Sequence, residues 1–386
     1  MGVLSGLRVL EFEAIGPVPF AGMLLADMGA EVIRIDRPAA PDDLGPKFEG
    51  RRADITGRGR SSVTLDLKRP ESAGAALQLI ERADILIEGF RPGTLERLGL
   101  GPDEALRRNP KLVYGRMTGW GQTGPLAQSA GHDINYIALS GVLSAIGPEG
   151  GRPVPPLNLV GDYGGGGMLL AMGVLAAALR VQRGGAGQVV DAAMTEGAAQ
   201  LGSIFWGLVA NGGWQERRGS NLLDGGAPWY DTYRTLDGHY MAIGPVESRF
   251  YAELLEKLGL AEAGLPEQHD RQGWPRLRNA FMRAFLTRTR DQWCELFAGS
   301  DACVAPVLGF AEAAEHPHNQ ARGSFIQVGE IVQPAPAPRF LGTPSGHPRL
   351  APQRGQHGAA ALRAWGMQDT QIEHLQSAGL GFRTVP

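Results

Sequence analysis

Cysteine is scarce in this sequence, whose 386 residues include only Cys294 and Cys303. Neither cysteine has a histidine or another cysteine at the spacing that a zinc site requires. The sequence therefore argues against a fold held together by disulfide bonds, and we expect no metal site. We interpret both cysteines as buried free thiols.

An excess of charge of one sign is also absent, because 37 lysines and arginines stand against 40 acidic residues and leave a net charge of −3. No basic cluster indicates binding to nucleic acid or to an anionic membrane surface. No apolar run reaches the ~18 residues that cross a bilayer, and residues 1–6 lack the charged start of a signal peptide. We therefore expect a cytoplasmic protein whose ligands are small molecules.

The sequence begins with the pattern of a βαβ unit. An apolar run at 9–12 is followed by a turn with Gly and Pro, a helix-like stretch at 19–28 and a second apolar run at 32–35. Further strand-like runs occur at 62–67, 85–88 and 112–117, with helical spacing at 72–83. Alternating strands and helices predict an α/β fold, here a Rossmann-like lobe with a mostly parallel sheet.

The pattern changes after a long helical stretch at 168–183 and a strand-like run at 188–191. From 230 to 303 short segments follow one another, with strands expected at 232–236 and 240–243 and helices at 249–258 and 274–287. These segments predict a smaller α+β lobe. Residues 333–353 are rich in Pro and Gly, which favours extended chain that could close over the first lobe.

These patterns divide the chain into two lobes. We predict a large lobe of residues 1–190 that is completed by residues 325–386. The small lobe is predicted at residues 230–318, with linkers at 191–229 and 319–324.

The turn after the first strand bears on the kind of nucleotide that this lobe could bind. Asp36 ends the second run, where a dinucleotide-binding fold places the acid that binds the ribose hydroxyls. However, residues 14–19 contain two prolines and one glycine instead of G-x-G-x-x-G, and a prolyl nitrogen cannot donate to phosphate. An NAD-dependent dehydrogenase is therefore disfavoured, whereas Arg37 offers a cation to a phosphate-bearing ligand of another kind.

Residues 131–136, Gly-His-Asp-Ile-Asn-Tyr, are dense in polar side chains and suggest a site. His132 can act as a base near neutral pH. It can equally cap a turn or satisfy a buried carbonyl group, and the residues alone leave both interpretations open.

Asp162 precedes four successive glycines, residues 164–167, and then a helical pattern. A carboxylate at a helix N-terminus is most often an N-cap, and the alternative is a site carboxylate held by the helix dipole. On these residues alone the cap is favoured. Four glycines exceed what a cap requires, and they indicate that something bulky approaches the backbone closely. A P-loop is excluded because no Lys-Ser/Thr follows.

Several motifs resemble the class III CoA-transferase family and, within it, the branch of racemases that act on 2-methylacyl-CoA thioesters. The resemblance runs nearly from end to end. Its motifs are residues 25–38 (LADMGAEVIRIDRP), 63–68 (VTLDLK), 90–93 (FRPG), 131–136 (GHDINY), 156–162 (PLNLVGD), 223–228 (LDGGAP) and 300–306 (SDACVAP).

The resemblance implies three catalytic residues. The family's catalytic carboxylate matches Asp162, and His132 matches the histidine that separates the racemases from the transferases. Glu247 matches the acid that pairs with this histidine, where it would hold the tautomer and stabilise the charged form. The sequence departs from the racemases directly after Glu247, because residues 248–249 are Ser-Arg where the racemases carry Pro-Gln.

The resemblance also implies contacts to CoA. They are expected from Arg37, Leu65, Asp66, Leu67, Lys68, Arg91, Gly131, Asp133, Ile134, Asn135 and Tyr136. Residues 65–68 also fit an ordinary alternating strand, and arginines on a surface are usually solvated. For the acyl chain we expect an apolar surface with Ile15 and Tyr230. Methionine side chains adapt to varied shapes and could add to this surface, but the sequence favours a place in the core for Met168, Met172 and Met194.

Family members pair as interlocked dimers whose active site lies between the large lobe of one chain and the small lobe of the other. The resemblance therefore implies a homodimer in which Glu247 meets His132 across lobes.

The implied reaction interconverts (2R)- and (2S)-2-methylacyl-CoA thioesters by 1,1-proton transfer through an enolate, as part of fatty acid metabolism. His132 and Asp162 would serve opposite faces of the α-carbon, and peptide N–H groups around residues 132–133 would donate to the enolate oxygen. CoA is part of the substrate, and no separate cofactor is expected. The alternatives are a CoA transferase that uses Asp162 as its nucleophile, a CoA-binding protein without turnover, and the dehydrogenase.

Overall fold

The computed structural model describes residues 2–38 and 54–383. The chain divides into two compact units. The large unit comprises Met1–Ser140, Leu157–Leu201 and Gln320–Pro386, and the small unit comprises Gly141–Pro156 and Gly202–Asn319.

The strands and the helices are each numbered in the order in which they occur along the chain. The strands are β1 (Arg8–Phe12), β2 (Glu31–Asp36), β3 (Ser61–Thr64), β4 (Ile85–Glu88), β5 (Val113–Thr118), β6 (Gln188–Ala193), β7 (Asp231–Arg234), β8 (Tyr240–Ile243), β9 (Val304–Pro306), β10 (Phe325–Val328) and β11 (Ile331–Pro334). The helices are α1 (Pro17–Asp27), α2 (Pro70–Ile80), α3 (Thr94–Arg97), α4 (Pro102–Arg108), α5 (Asp133–Leu139), α6 (Val142–Ala145), a π-helix (Leu159–Met168) that continues into α7 (Leu169–Gln182), α8 (Met194–Leu201), α9 (Ser203–Ala210), α10 (Ser248–Lys257), α11 (Trp274–Phe285), α12 (Arg290–Phe297), α13 (Phe310–Glu315), α14 (Pro317–Arg322), α15 (Gly358–Ala364) and α16 (Asp369–Ser377).

The large unit is built on a six-stranded sheet in the order β3-β2-β1-β4-β5-β6, and its neighbouring strands are parallel. The central strands are buried on both faces, as expected of a parallel sheet covered by helices. The predicted βαβ unit at the start of the chain is confirmed, with Val9 opposite Val32 in the register of β1 and β2. The predicted α/β class is confirmed as well.

Alternating residues of the strands feed two cores. Leu10 and Ile33 pack with residues of α2, α15 and α16 on one face, and Val9 and Val32 pack with residues of α1 and α7 on the other. The C-terminal segment also reaches the edge strand β3, where a bridge joins Thr64 to Gly381. Residues late in the chain therefore cover a sheet whose strands come early.

The small unit contains the three-stranded antiparallel sheet β7-β8-β9 and the helices α10, α11 and α12. Its core is aromatic, and it includes Trp229, Tyr233, Phe281, Phe285 and Trp293. Mixed strands and helices of this kind agree with the predicted α+β composition.

The units differ from the predicted lobes at their boundaries. The segment expected as a linker, 191–229, holds α8 and α9, and α8 belongs to the large unit. Residues 141–156 belong to the small unit although they lie inside the predicted large lobe. The predicted return linker, 319–324, overlaps α14.

One helix in the described residues, Leu159–Gln182, is long and apolar enough to cross a membrane by length and composition. The sequence pattern placed the start of this helix after the glycines, whereas the helix begins at Leu159 and includes Asp162. Leu170 and Val174 of this helix lie in a core of the large unit. The interpretation of both cysteines as buried is also wrong, since Cys303 is exposed and Cys294 is half-buried.

Candidate functional site

A cavity of about 940 Å³ lies within the large unit, at the carboxyl ends of its central strands. Its wall is formed by residues 13–19 after β1, residues 89–92 after β4 and residues 117–120 at the end of β5. Parallel α/β sheets bind their ligands at this edge, where the loops that follow neighbouring strands converge. The cavity is therefore the candidate site.

His132 lines this cavity from the N-terminus of α5. It occupies the N-cap position in extended backbone conformation, and its N–H donates to Asn135 Oδ1 at 3.0 Å. The two interpretations left open by the sequence are thus compatible, because the residue begins a helix and also faces the candidate site.

Asp162 lines the same cavity but is not the N-cap that the sequence favoured, since it lies inside the π-helix that begins at Leu159. Its Oδ2 accepts a hydrogen bond from Asn158 Nδ2 at 3.1 Å, and its N–H donates to Asp133 Oδ1 at 2.7 Å. Gly16, with a φ of +69°, brings the turn after β1 next to this carboxylate, because a Cβ there would lie 3.0 Å from Oδ2. Asp162 is therefore held on several sides.

Burial raises the pKa of Asp162, and the negative charge of Asp133 raises it further. The hydrogen bond from Asn158 and the charge of His132 act in the opposite direction. A carboxyl group with a raised pKa accepts and returns a proton more readily near neutral pH. Asp162 and His132 thus bring two titratable groups of different chemical character to one cavity.

The glycines after Asp162 are explained by the protein's own helices. A Cβ on Gly165 would lie 2.5 Å from the backbone nitrogen of Ala198 in α8, and one on Gly167 would lie 2.6 Å from the carbonyl oxygen of Pro17 in α1. On the facing helix, a Cβ on Gly197 would lie 1.9 Å from the carbonyl oxygen of Gly165. The bulky neighbour that the sequence indicated is therefore backbone of α8 and α1.

The predicted CoA contacts fall into two groups. Arg91, Gly131 and Tyr136 line the cavity, and burial raises the pKa of Tyr136 so that its hydroxyl stays neutral. Outside the cavity wall, as far as the structure describes the chain, are Arg37, Leu65, Asp66, Leu67, Lys68, Asp133, Ile134 and Asn135.

Leu65 is fully buried in the core beside the sheet, so only its backbone could meet a ligand. Asp66 accepts the N–H of Lys68 at 3.0 Å, which forms a turn after β3. Ile134 is exposed. Asp36 is buried and bonded to Arg34 and Ser62, so it is not presented to a ribose.

Some of the residues that were predicted to contact the acyl chain line the cavity, and others do not. Ile15 and Met194 line the cavity, whereas Met168 and Met172 are exposed on the continuous helix that also contains Asp162. The interpretation of those two methionines as core residues is therefore wrong. Tyr230 belongs to the small unit.

Glu247 also belongs to the small unit, where it is exposed at the N-cap of α10. The side chain of Gln268 holds the preceding chain, because its Nε2 donates to the carbonyl oxygens of Pro245 and Val246, both at 3.0 Å. The role of Glu247 beside His132 stays a prediction.

An ion-pair network at one end of the cavity was missed by the sequence analysis. Arg354 donates to Glu13 with two nitrogens, at 2.5 and 2.9 Å, and to the carbonyl oxygen of Arg37 at 2.7 Å. Although burial opposes it, the bonds that Glu13 accepts from Arg354 and from the N–H of Arg37 hold its pKa below the ordinary value. Arg354 and Glu13 both line the cavity. The predicted ligand Arg37 is thereby tied to the C-terminal segment.

A second ion pair is fully buried behind the wall. Arg60 donates to Glu11 Oε2 at 3.0 Å and also to the carbonyl oxygens of Thr56 and Pro19, both residues of the cavity wall. Neither charged side chain is exposed. This pair therefore joins two segments of the wall from behind.

A third group, Glu88, supports the turn that carries Arg91. Its carboxylate accepts the N–H of Phe90 at 2.7 Å and the Nε of Arg116 at 2.9 Å. Burial raises the pKa of Glu88 to about 7, against the opposing effect of these two donors.

The residues that the structure describes contain no cluster of three or more His, Cys, Asp or Glu side chains that could hold a metal ion.

The chain is similar to known proteins in sequence and in structure. The model of CoA-transferase family III matches residues 4–358. The chain is 46% identical to an alpha-methylacyl-CoA racemase of Mus musculus over 377 residues, which cover 97% of this chain and 96% of that protein. It is 45% identical to one of Homo sapiens over 378 residues, again 97% and 96% of the two chains. A crystal structure of a CAIB/BAIF family protein from Brucella suis superposes with a TM-score of 0.81 at 25% identity, covering 94% of this chain and 99% of that one.

Proposed function

The chain belongs to CoA-transferase family III, and we propose that it is an isomerase that interconverts the (2R) and (2S) epimers of 2-methylacyl-CoA thioesters. The observation that carries the proposal is that His132 and Asp162 line one cavity. The similarity to two proteins named as alpha-methylacyl-CoA racemases supports it. The proposed reaction needs no cofactor besides the CoA of its substrate.

Epimerisation requires a proton to leave one face of the α-carbon and another to reach the opposite face. In the direction that begins at His132, the C–H bond breaks, the imidazole takes the proton and the electron pair enters the thioester as an enolate. Asp162 in its carboxylic acid form then gives its proton to the other face, and the reverse direction exchanges the two roles. The raised pKa of Asp162 suits this task, because it makes the acid form accessible.

The enolate oxygen requires a hydrogen-bond donor in a fixed place. We expected the donor among the peptide N–H groups around residues 132–133, but the N–H of His132 already donates to Asn135. The proposed donor is therefore in the first turn of α5. The N–H of Asp133 is our choice, because its peptide bond directly follows His132, which lines the cavity, although the Asp133 side chain lies outside the wall. The first N–H groups of a helix have no partner within the helix. A preorganised donor of this kind contributes about 3–4 kcal/mol to the stability of an enolate-like transition state.

The proposed active enzyme is a homodimer in which Glu247 of one copy meets His132 of the other. Apolar side chains exposed on helices of both units support this proposal, among them Met168 and Met172 in the large unit and Ile204 and Trp206 in the small unit. Exposed apolar patches of this kind commonly mark protein interfaces. The cytoplasmic location and the place in fatty acid metabolism stay predictions from the sequence.

The test is incubation of the purified protein with one pure epimer of a 2-methylacyl-CoA in D₂O, without added cofactor or acceptor acid. NMR follows the α-proton signal and the epimer ratio together. We expect loss of the α-proton and drift toward a mixture of epimers, and we expect His132→Ala and Asp162→Asn to stop the drift. If His132→Ala kept full racemisation while Asp162→Asn abolished it, the two-base scheme would be refuted.

The family name favours one alternative, a CoA transferase in which Asp162 attacks the thioester carbonyl, expels CoA as its thiolate and forms a mixed anhydride. An inert α-carbon in the NMR experiment, together with an acyl group trapped on Asp162, would support the transferase instead.

A further inference from the structure

The side chain of Asp133 connects the two segments that carry the proposed proton-transfer groups. Asp133 is the first residue of α5 and directly follows His132. Its Oδ1 accepts the N–H of Asp162 at 2.7 Å, although the two residues are 29 positions apart. One buried carboxylate thus joins the start of α5 to the π-helix.

The surrounding chain is shaped to admit this contact. A Cβ on Gly161 would lie 2.4 Å from Asp133 Oδ1, so a larger residue would displace the carboxylate. Asp133 itself is only 7% exposed, and its Oδ2 is buried without a hydrogen-bond partner in the described residues. A buried carboxylate oxygen without a partner costs stability, so its presence calls for a role other than holding the fold together.

We propose that Asp133 is a positioning residue, which fixes Asp162 relative to His132 so that both can reach the same α-carbon from opposite faces. This inference rests on the proposed function. Misplacement of a reacting group by about 1 Å can lower a rate by roughly 10²-fold, so a single tether between the two groups has a large effect on turnover. The negative charge of Asp133 also contributes to the raised pKa of Asp162, which is consistent with this placement.

The first experiment compares Asp133→Ala with Asp133→Asn. The alanine variant loses the acceptor, and we expect its kcat for racemisation to fall about 10²-fold while the KM for acyl-CoA changes less than about threefold. The asparagine variant keeps an acceptor oxygen, and we expect it to recover kcat to within about tenfold of the wild type. Asp84→Ala is the matched control, because Asp84 Oδ2 accepts the N–H of Arg8 at 2.8 Å outside the cavity wall.

Glycine variants test the same contact from the other side. Gly161→Ala keeps Asp133 but pushes its carboxylate away, and we expect the same loss of kcat as in Asp133→Ala. Gly164→Ala is its control in the same π-helix, since the added Cβ would meet the end of the flexible Leu201 side chain at 3.0 Å and the carbonyl oxygen of Leu159 at 3.1 Å. We expect Gly164→Ala to keep kcat within about threefold of the wild type.

Hydrogen exchange measured by mass spectrometry over residues 159–168 tests whether Asp133 holds the π-helix in place, independently of any effect on the reaction. We expect faster exchange in Asp133→Ala than in the wild type and little change in Asp133→Asn. If the wild type does not exchange its substrate's α-proton, the proposed function fails whatever the variants do. If the wild type racemises and Asp133→Ala keeps its kcat, or if Asp133→Asn loses as much as Asp133→Ala, the positioning inference is overturned.

Discussion

The contact between the π-helix and α8 leads to a sharp prediction for Gly197→Ala. The added Cβ would lie 1.9 Å from the carbonyl oxygen of Gly165, a distance that no real contact adopts. The obstacle is backbone, so the two helices must separate by roughly 1 Å, a displacement that can cost about 10²-fold in rate at a reacting group. Gly165 lies three residues after Asp162, and the carboxylate would move with it.

We therefore expect Gly197→Ala to lose about 1–3 kcal/mol of unfolding free energy through overpacking, and about 10²-fold in kcat. Urea denaturation measures the first quantity, and α-proton exchange in D₂O measures the second. Gly74→Ala in α2 is the control, since nothing lies within 4 Å of its added Cβ. This control should gain about 0.5–1 kcal/mol from helix propensity. A Gly197→Ala protein with wild-type stability and kcat would refute the reasoning.

Three further predictions concern charged groups around the cavity. Arg60→Met should lower the unfolding free energy in urea by about 3–5 kcal/mol, because it leaves Glu11 buried without its counter-ion. Between pH of about 4.5 and about 7 the raised pKa keeps Glu88 protonated in the folded state while the unfolded chain ionises, so the wild type loses stability as the pH rises. Glu88→Gln cannot ionise and should therefore gain stability relative to the wild type over this range. Thermal unfolding measured across these pH values gives the difference. Arg354→Gln should raise the KM for acyl-CoA about tenfold with little change in kcat, because Glu13 loses a bidentate partner at the cavity wall. Steady-state kinetics would measure KM and kcat separately. A pH-independent difference for Glu88→Gln, or a loss confined to kcat for Arg354→Gln, would contradict these two expectations.

The sequence predicted those parts of the fold that depend on short-range pattern. The apolar runs of β1, β2 and β4 were placed within a residue or two, because a strand buried on both faces is a continuous apolar run. The helix that contains Asp162 was placed too late. Glycine has low helix propensity, which suggests a loop, and the close contact with α8 that favours glycine there is tertiary.

The residues of the candidate site were also predictable only where residue type, local spacing or the resemblance to a family gave a signal. His132 and Asp162 stood out through residue type and through the resemblance to a family, and both line the cavity. Asn158 carries a weak local signal, since it precedes Asp162 by four positions and can reach it within a helical turn. Arg354 carries none, because it meets Glu13 from 341 positions away. Only the folded chain reveals such a pair.

The return of the C-terminal segment to β3 has a consequence for synthesis on the ribosome. The edge of β3 is completed by Gly381, and the cavity wall includes Pro352 and Arg354. At roughly 5–20 residues per second, the nascent sheet therefore waits many seconds with an unpaired edge after its sixth strand has emerged. Unpaired strand edges are templates for wrong pairing, so we expect this interval to be the period in which the growing chain most needs protection by chaperones.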